Sequence, residues 1–333
     1  MLARLQQALT LGAVALSLLW AVLCVRAGHV AWGLGGALFV LGAYALVLAL
    51  EFLLLRWVHG NDPTPQASAA QLLRAWWGEV LAAPRVFCWR QPFQSQRWPD
   101  QLTPQMHGRR GVLLVHGFVC NRGLWNPWLR RLHALGVPTL AVNLEPVFGT
   151  IDDAIPLIED AVRRLETTTG LAPIAVAHSM GGLALRRWWA EHGDDTRLHH
   201  AITIGTPHHG TWLARFAMSR NARQMRQRSP WLDTLVVREP PSRAQRFTCF
   251  YSHCDNIVFP PTAATLAGAC NRHLPGVAHV HMADHPAPWA ELQRWLTVPA
   301  ATPVVAPVTA PRIAPMAAQT EASPTMPPAA TPP

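Results

Sequence analysis

Ile174-Ala175-Val176-Ala177-His178-Ser179-Met180-Gly181-Gly182 is an apolar run that breaks into small residues and then resumes from Leu183 to Ala190 with the look of a helix. A strand that turns this sharply into a helix lifts the residue at the turn out of the sheet edge. It needs small side chains on either side of that residue, because the neighbouring strand comes close. Ser179 is the residue lifted, and it is the candidate nucleophile. Ala177 stands where a glycine is usual, a change of little cost because alanine is nearly as small. Outward from this point, short apolar runs recur at 111–116, 138–143, 173–177, 201–204 and 247–251, with helical stretches at 123–136, 152–168 and 181–192 between them. Runs that are apolar almost throughout suit parallel strands covered on both faces, and their alternation with helices predicts a doubly wound, mostly parallel α/β sheet.

Two other stretches carry chemistry. Val112-Leu113-Leu114-Val115-His116-Gly117-Phe118 is an apolar strand that ends in His-Gly-apolar. The run from Phe247 to Tyr251 is followed by Ser252-His253-Cys254-Asp255-Asn256-Ile257-Val258-Phe259-Pro260, which places Asp255 in a loop just past a strand. Other carboxylates are worse placed: Asp152, Asp153 and Asp160 on an expected helix, Asp194 and Asp195 in a turn after the serine helix. Sixteen histidines leave the base open on composition. If nucleophile, acid and base follow in that chain order, the base lies beyond residue 255, which leaves His273, His279, His281 and His285. His279 follows Val277-Ala278 and precedes Pro286, Trp289 and a helix running to Leu296. A helix over 262–270 and a last strand over 273–278 would return the chain to the sheet edge beside Ser179. His281 and His285 are the alternatives.

With these motifs in hand, residues 108–296 resemble the α/β-hydrolase lipases and esterases, especially the bacterial triacylglycerol lipase type, one branch of which carries an Ala-His-Ser-Met-Gly elbow. The stretches Glu145 to Asp153, Thr169-Gly170 and Ile204-Gly205-Thr206-Pro207-His208-His209-Gly210-Thr211 resemble segments of the same family, and the last is also similar to lipid-anchor deacylases. The resemblance implies a triad of Ser179, Asp255 and His279 and an oxyanion hole built from the backbone N–H groups of Phe118 and Met180. His116 reads as structural rather than catalytic, and His208 and His209 read as loop-shaping. The resemblance also implies a lid or cap over about 211–246, and no metal or organic cofactor.

The N-terminal region obeys other rules. Residues 11–25 are apolar apart from Ser17, and with 8–10 they extend to about 18 residues, near the lower limit for crossing a bilayer. After Arg26 to His29, an uncharged run over 30–50 would reach about 30 Å as a helix. A transmembrane helical hairpin over 1–58 is expected, with Gly12, Gly33, Gly35, Gly36 and Gly42 available for close helix packing. A cleavable signal peptide is the weaker reading, since Val25-Arg26-Ala27 lacks a small residue where cleavage wants one and a second span follows. Arg4 precedes the hairpin, Arg26 lies in its turn, and Arg56, Arg74, Arg85 and Arg90 follow. This bias favours both ends inside, with the hydrolase domain on the cytoplasmic face of a bacterial inner membrane. Deleting 1–58 should then release an active soluble enzyme. Residues 59–107, with Trp76, Trp77, Trp89 and Trp98, read as a linker carrying a short amphipathic helix over 68–81, set against headgroups or against the next domain. The Pro/Ala/Thr-rich stretch 298–333 reads as a disordered tail.

Composition narrows the partners. Half of the residues are apolar and 14% are charged, which points to a lipid-embedded part. The net charge of +9 comes entirely from arginine. The arginines are scattered and form no stripe interleaved with aromatics, so nucleic acid is not an expected partner, whereas an anionic membrane surface is an acceptable one. The six cysteines form no CxxC pair and no zinc-site spacing; free thiols are favoured over a Cys254–Cys270 bridge. The expected activity is hydrolysis of carboxylic esters, of small molecules or of lipids such as acylglycerols. A thioesterase, acyltransferase or lipid-anchor deacylase could use the same triad, and a non-catalytic membrane-anchored binding protein is the reading from another class.

Overall fold

Six strands, β1 (Val112–Val115), β2 (Thr139–Ala141), β3 (Ile174–His178), β4 (His200–Ile204), β5 (Phe247–Tyr251) and β6 (Cys270–His273), form one sheet in the order β2-β1-β3-β4-β5-β6, with every pairing parallel. They belong to a computed structural model that describes residues 1–298; the tail expected over 299–333 lies outside the described residues. Strands β1, β3 and β4 are buried along their whole length. Their side chains alternate between two cores: Leu113 and Val115 enter one, Val112 and Leu114 the other. Burial on both faces is why these strands read as continuous apolar runs in the sequence.

Helices supply both covers. The chain opens with α1 (Leu2–Arg26), α2 (Val30–Gly42) and α3 (Tyr44–Val58), continues through α4 (Ala69–Pro84) and a π-helical turn into α5 (Gln91–Gln94), and then enters the sheet. On one face lie α7 (Ile155–Thr169) and α8 (Met180–His192); on the other lies α6 (Asn126–Ala134) together with the last helix. Between β4 and β5 the chain makes two short helices, α9 (Arg220–Gln224) and α10 (Pro230–Arg238). They are the insertion expected over 211–246. Leu232 and Leu235 of α10 are buried in the core formed by α7 and α8, while Phe216 and Met218 stay exposed. After β6 come α11 (His279–Met282) and α12 (Pro286–Thr297).

Three expectations need correction. The second apolar run is not one straight helix: α2 and α3 meet at Ala43 with a bend of 50°. Residues 59–107 do not form a linker. Ser68 caps α4 reciprocally with Gln71, Gln101 pairs with Thr139 at the sheet edge, and Arg122 binds the Trp98 carbonyl and Asp100, so the segment is laced onto the sheet domain. The last strand spans 270–273, upstream of the expected 273–278, and only a short 3₁₀ turn, Pro261–Ala264, occupies the helix expected over 262–270.

The bend at Ala43 separates α3 from α2 and precedes the part of α3 that packs on the rest of the chain. Past the bend, Phe52 and Leu55 are buried with Ala75 of α4 and with Cys254, Phe259 and Ala278, which neighbour Asp255 and His279 in the chain. Each buried side chain of this size contributes about 1.5–3 kcal/mol. A chain that starts at residue 59 should therefore melt at a clearly lower temperature than the full chain in detergent. An unchanged melt followed by circular dichroism would show α3 to be dispensable.

Candidate active site

Ser179 stands between β3 and α8 with φ +55 and ψ −131, a backbone region that residues with a β-carbon avoid. Strain of this kind belongs to a strand-to-helix turn that raises its side chain off the sheet. The end of β1 closes in beneath it. A β-carbon on Gly117 would fall 2.7 Å from Ser179 Cβ, and one on Gly181 would fall 2.5 Å from the His116 carbonyl oxygen. These approaches are the physical need behind the small residues on both sides of the turn.

They also bring the Phe118 turn against Ser179. Among the described residues, neither the Phe118 N–H nor the Met180 N–H donates to a protein acceptor. The latter opens α8, where first-turn N–H groups have no partner within the helix. His116 holds the turn: its Nδ1 donates to the Gly117 carbonyl at 2.9 Å, and its Nε2 accepts the Leu144 N–H at 3.0 Å. Burial pushes this imidazole down to about 4, so it stays neutral and bridges the ends of β1 and β2.

Asp255 and His279 meet. The imidazole Nδ1 is 2.9 Å from Asp255 Oδ2, with both side chains buried, while Asp255 Oδ1 accepts the N–H groups of Ile257 (2.9 Å) and Val258 (2.8 Å). A carboxylate held by three donors cannot swing, so the histidine keeps its proton on Nδ1 and presents Nε2 as an acceptor. Burial alone would lower the His279 pKa. The charge and hydrogen bond of Asp255, with Glu79 in support, outweigh it and leave the group above its ordinary value. The Ser179 hydroxyl has no side-chain hydrogen bond among the described residues.

His279 does not end a strand, as its sequence position had suggested; it opens α11. The two rival histidines are occupied elsewhere. His281 packs on α4 at Gly78, and His285 caps α12 by accepting the Ala287 N–H at 3.2 Å. Two residues beside His279 went unassigned by the sequence. His178, the variable residue of the elbow, lies 4.7 Å from His279 ring to ring, and its Nε2 donates to the His279 carbonyl at 3.1 Å. Burial first, then the charge of His279, pushes its pKa down to about 3, which keeps it neutral. Asn256 Oδ1 accepts the His279 N–H at 3.2 Å. Only their adjacency to Ser179 and Asp255 could have signalled them.

His208 is fixed by its surroundings. Its Nε2 lies 3.0 Å from Thr203 Oγ1, and Arg186 donates to its carbonyl oxygen. Burial, aided by the Arg186 charge, holds it well below its usual range. All six cysteines are free, Cys254 and Cys270 included. A cleft runs from Gly117 and Met180 to Asn221 along Val119, Leu144 and Pro146. Phe118 stands edge-on to the half-exposed Phe148, with ring centroids 5.9 Å apart, and adds apolar surface at the Phe118 turn.

No curated protein sequence matches this chain. Solved structures do. The mature Bacillus licheniformis lipase BlEst2 is 17% identical with a TM-score of 0.51, over 57% of this chain and 93% of the other. Lipase B of Aspergillus fumigatus is 19% identical with a TM-score of 0.50, over 58% of this chain and 53% of the lipase, about half its length. At these identities the likeness concerns the fold alone. The sequence model described as the alpha/beta hydrolase family matches residues 112–331, which takes in all six strands, the serine turn and the Asp255–His279 pair, and the chain belongs to that family.

Proposed function

We propose that this protein is a membrane-anchored carboxylic ester hydrolase that works through an acyl-enzyme on Ser179, with lipid or acylglycerol esters as its substrate class. The observation that carries the reading is the buried Asp255–His279 bond, which in the neutral imidazole keeps the proton on Nδ1 and leaves Nε2 to accept, in a chain whose Ser179 is raised on a strand-to-helix turn. His279 takes the hydroxyl proton as Ser179 attacks the ester carbonyl. The tetrahedral oxyanion is stabilised by the N–H groups of Phe118 and Met180, a donor pair in which each loss typically costs about 3 kcal/mol. Asp255 holds the tautomer and stabilises the imidazolium, which then returns its proton to the leaving alcohol; water repeats the cycle on the acyl-enzyme. No step calls for a metal or an organic cofactor.

The lipid preference draws on the apolar surface around the site. Phe118 and Phe148 pair beside the serine turn, and similar lipases share the fold. A fluorophosphonate probe tests the reading. It should label the wild-type chain and not Ser179→Ala, and the enzyme should cleave p-nitrophenyl esters with a rate that rises with acyl length. Labelling that survives the substitution would remove Ser179 as nucleophile, and thioester cleavage or transfer to an alcohol in place of hydrolysis would change the acceptor.

Membrane attachment rests on α1, a 25-residue helix whose apolar window has a mean hydropathy of 2.3 and is only 6% buried, and on the bent α2–α3 pair beside it. Surface this apolar and this exposed belongs in lipid. The arginine bias puts the hydrolase domain on the cytoplasmic side. The full chain should stay in the pellet after carbonate extraction of membranes; recovery in the supernatant, or a mature chain lacking α1, would refute the anchor.

A further inference from the structure

Glu79 is a carboxylate buried to 1% exposure in a helix that lies outside the hydrolase sheet. A charge so placed is costly unless its oxygens are used. Both are: Oε1 accepts the Val280 N–H and Oε2 the His281 N–H, each at 2.9 Å. These are first-turn amides of α11, whose first residue is His279. Glu79 thus does from 201 residues away in the sequence what an N-cap residue does locally. Close docking of α4 is built in. A β-carbon on Gly78 would fall 2.7 Å from His281 Nδ1, so a larger side chain there would force either the His281 ring or α4 to move. A second strut runs parallel to the first: Glu51 Oε2 of α3 accepts from Asn256 Nδ2 at 2.6 Å, and Asn256 Oδ1 accepts the His279 N–H.

We propose that Glu79 is a positioning residue for the base: from the N-terminal helical region it fixes the turn that carries His279, which makes that region part of the catalytic machinery as well as an anchor. The inference rests on the serine-hydrolase reading above and gives α4 a role that an amphipathic linker lacks. Catalysis is steep in geometry; an error of about 1 Å in the placement of a base costs on the order of 100-fold.

The test uses the full chain in detergent, with competent sites counted by exhaustive fluorophosphonate labelling and turnover of a p-nitrophenyl ester divided by that count. Glu79→Ala should lower kcat per labelled site by roughly 100-fold with KM nearly unchanged. Glu79→Gln, which keeps one acceptor for one of the two amides, should recover part of the loss, and it covers the case in which the alanine variant fails to fold. A purely structural role would lower the number of labelled sites and the melting temperature while turnover per site stayed at the wild-type value, and that outcome overturns the proposal. Absence of Ser179-dependent labelling in the wild-type chain would overturn the hydrolase reading and this inference together.

Discussion

Ser179→Ala should abolish ester hydrolysis and leave the fold intact. In hydrolases of this mechanism, loss of the nucleophile lowers kcat by on the order of a millionfold, since no other group replaces the covalent step and only the oxyanion donors and substrate binding remain. The structural cost is small. The Ser179 side chain makes no hydrogen bond among the described residues, and alanine meets the same positive φ without any added atom near Gly117. The measurement is p-nitrophenyl ester turnover set beside a thermal melt: an unchanged melt with no turnover is expected. Turnover near the wild-type level would end the assignment of Ser179, and a collapsed melt would mean that the serine supports the turn itself.

Replacing the three C-terminal histidines one at a time should silence the enzyme once. His279→Ala removes the general base and leaves Asp255 buried without the imidazole partner it now has, so acylation should fall by roughly 10⁴- to 10⁶-fold. His281→Ala keeps the backbone N–H that Glu79 accepts, and its side chain has a ring nitrogen with no partner, so turnover should stay close to wild type. His285→Ala loses the cap on α12, which is worth about 1 kcal/mol, and should lower the melting temperature with little effect on turnover. Stopped-flow acylation rates separate the three. A dead His281 or His285 variant beside an active His279 variant would mean that the histidine replaced in the dead variant supplies the base.

The parts of this protein that local chemistry dictates could be read from the chain. Buried parallel strands must be apolar on both faces, so β1, β3, β4 and β5 announce themselves as short continuous runs. The serine turn needs small neighbours within a few residues, and Asp255 sits in a loop whose own amides satisfy it, so both leave a mark in their immediate sequence. The chain order of the three groups then restricted the base to four histidines.

What lay outside that reach depends on partners far away in sequence. Strand β6, Cys270-Asn271-Arg272-His273, is an edge strand with half-exposed or exposed residues, so it carries no apolar run to betray it, and the expected strand slipped downstream. The break at Ala43 interrupts an apolar stretch that is uniform in composition; what distinguishes α3 from α2 is that Phe52 and Leu55 have a protein core to enter. Tertiary structure alone decided the holding of His279, where Glu79, His178 and Asn256 each bring one polar group to a backbone amide or carbonyl of a single turn. A buried polar group must find a partner, but its sequence does not say which. The sequence by itself determined the sheet, the elbow and the acid loop, because periodicity and turn sterics are properties of neighbouring residues. The sequence also favoured His279 among the four histidines, but the use of N-terminal helices to hold its turn followed only from long-range packing that brings residues 79 and 280 within a hydrogen bond of each other.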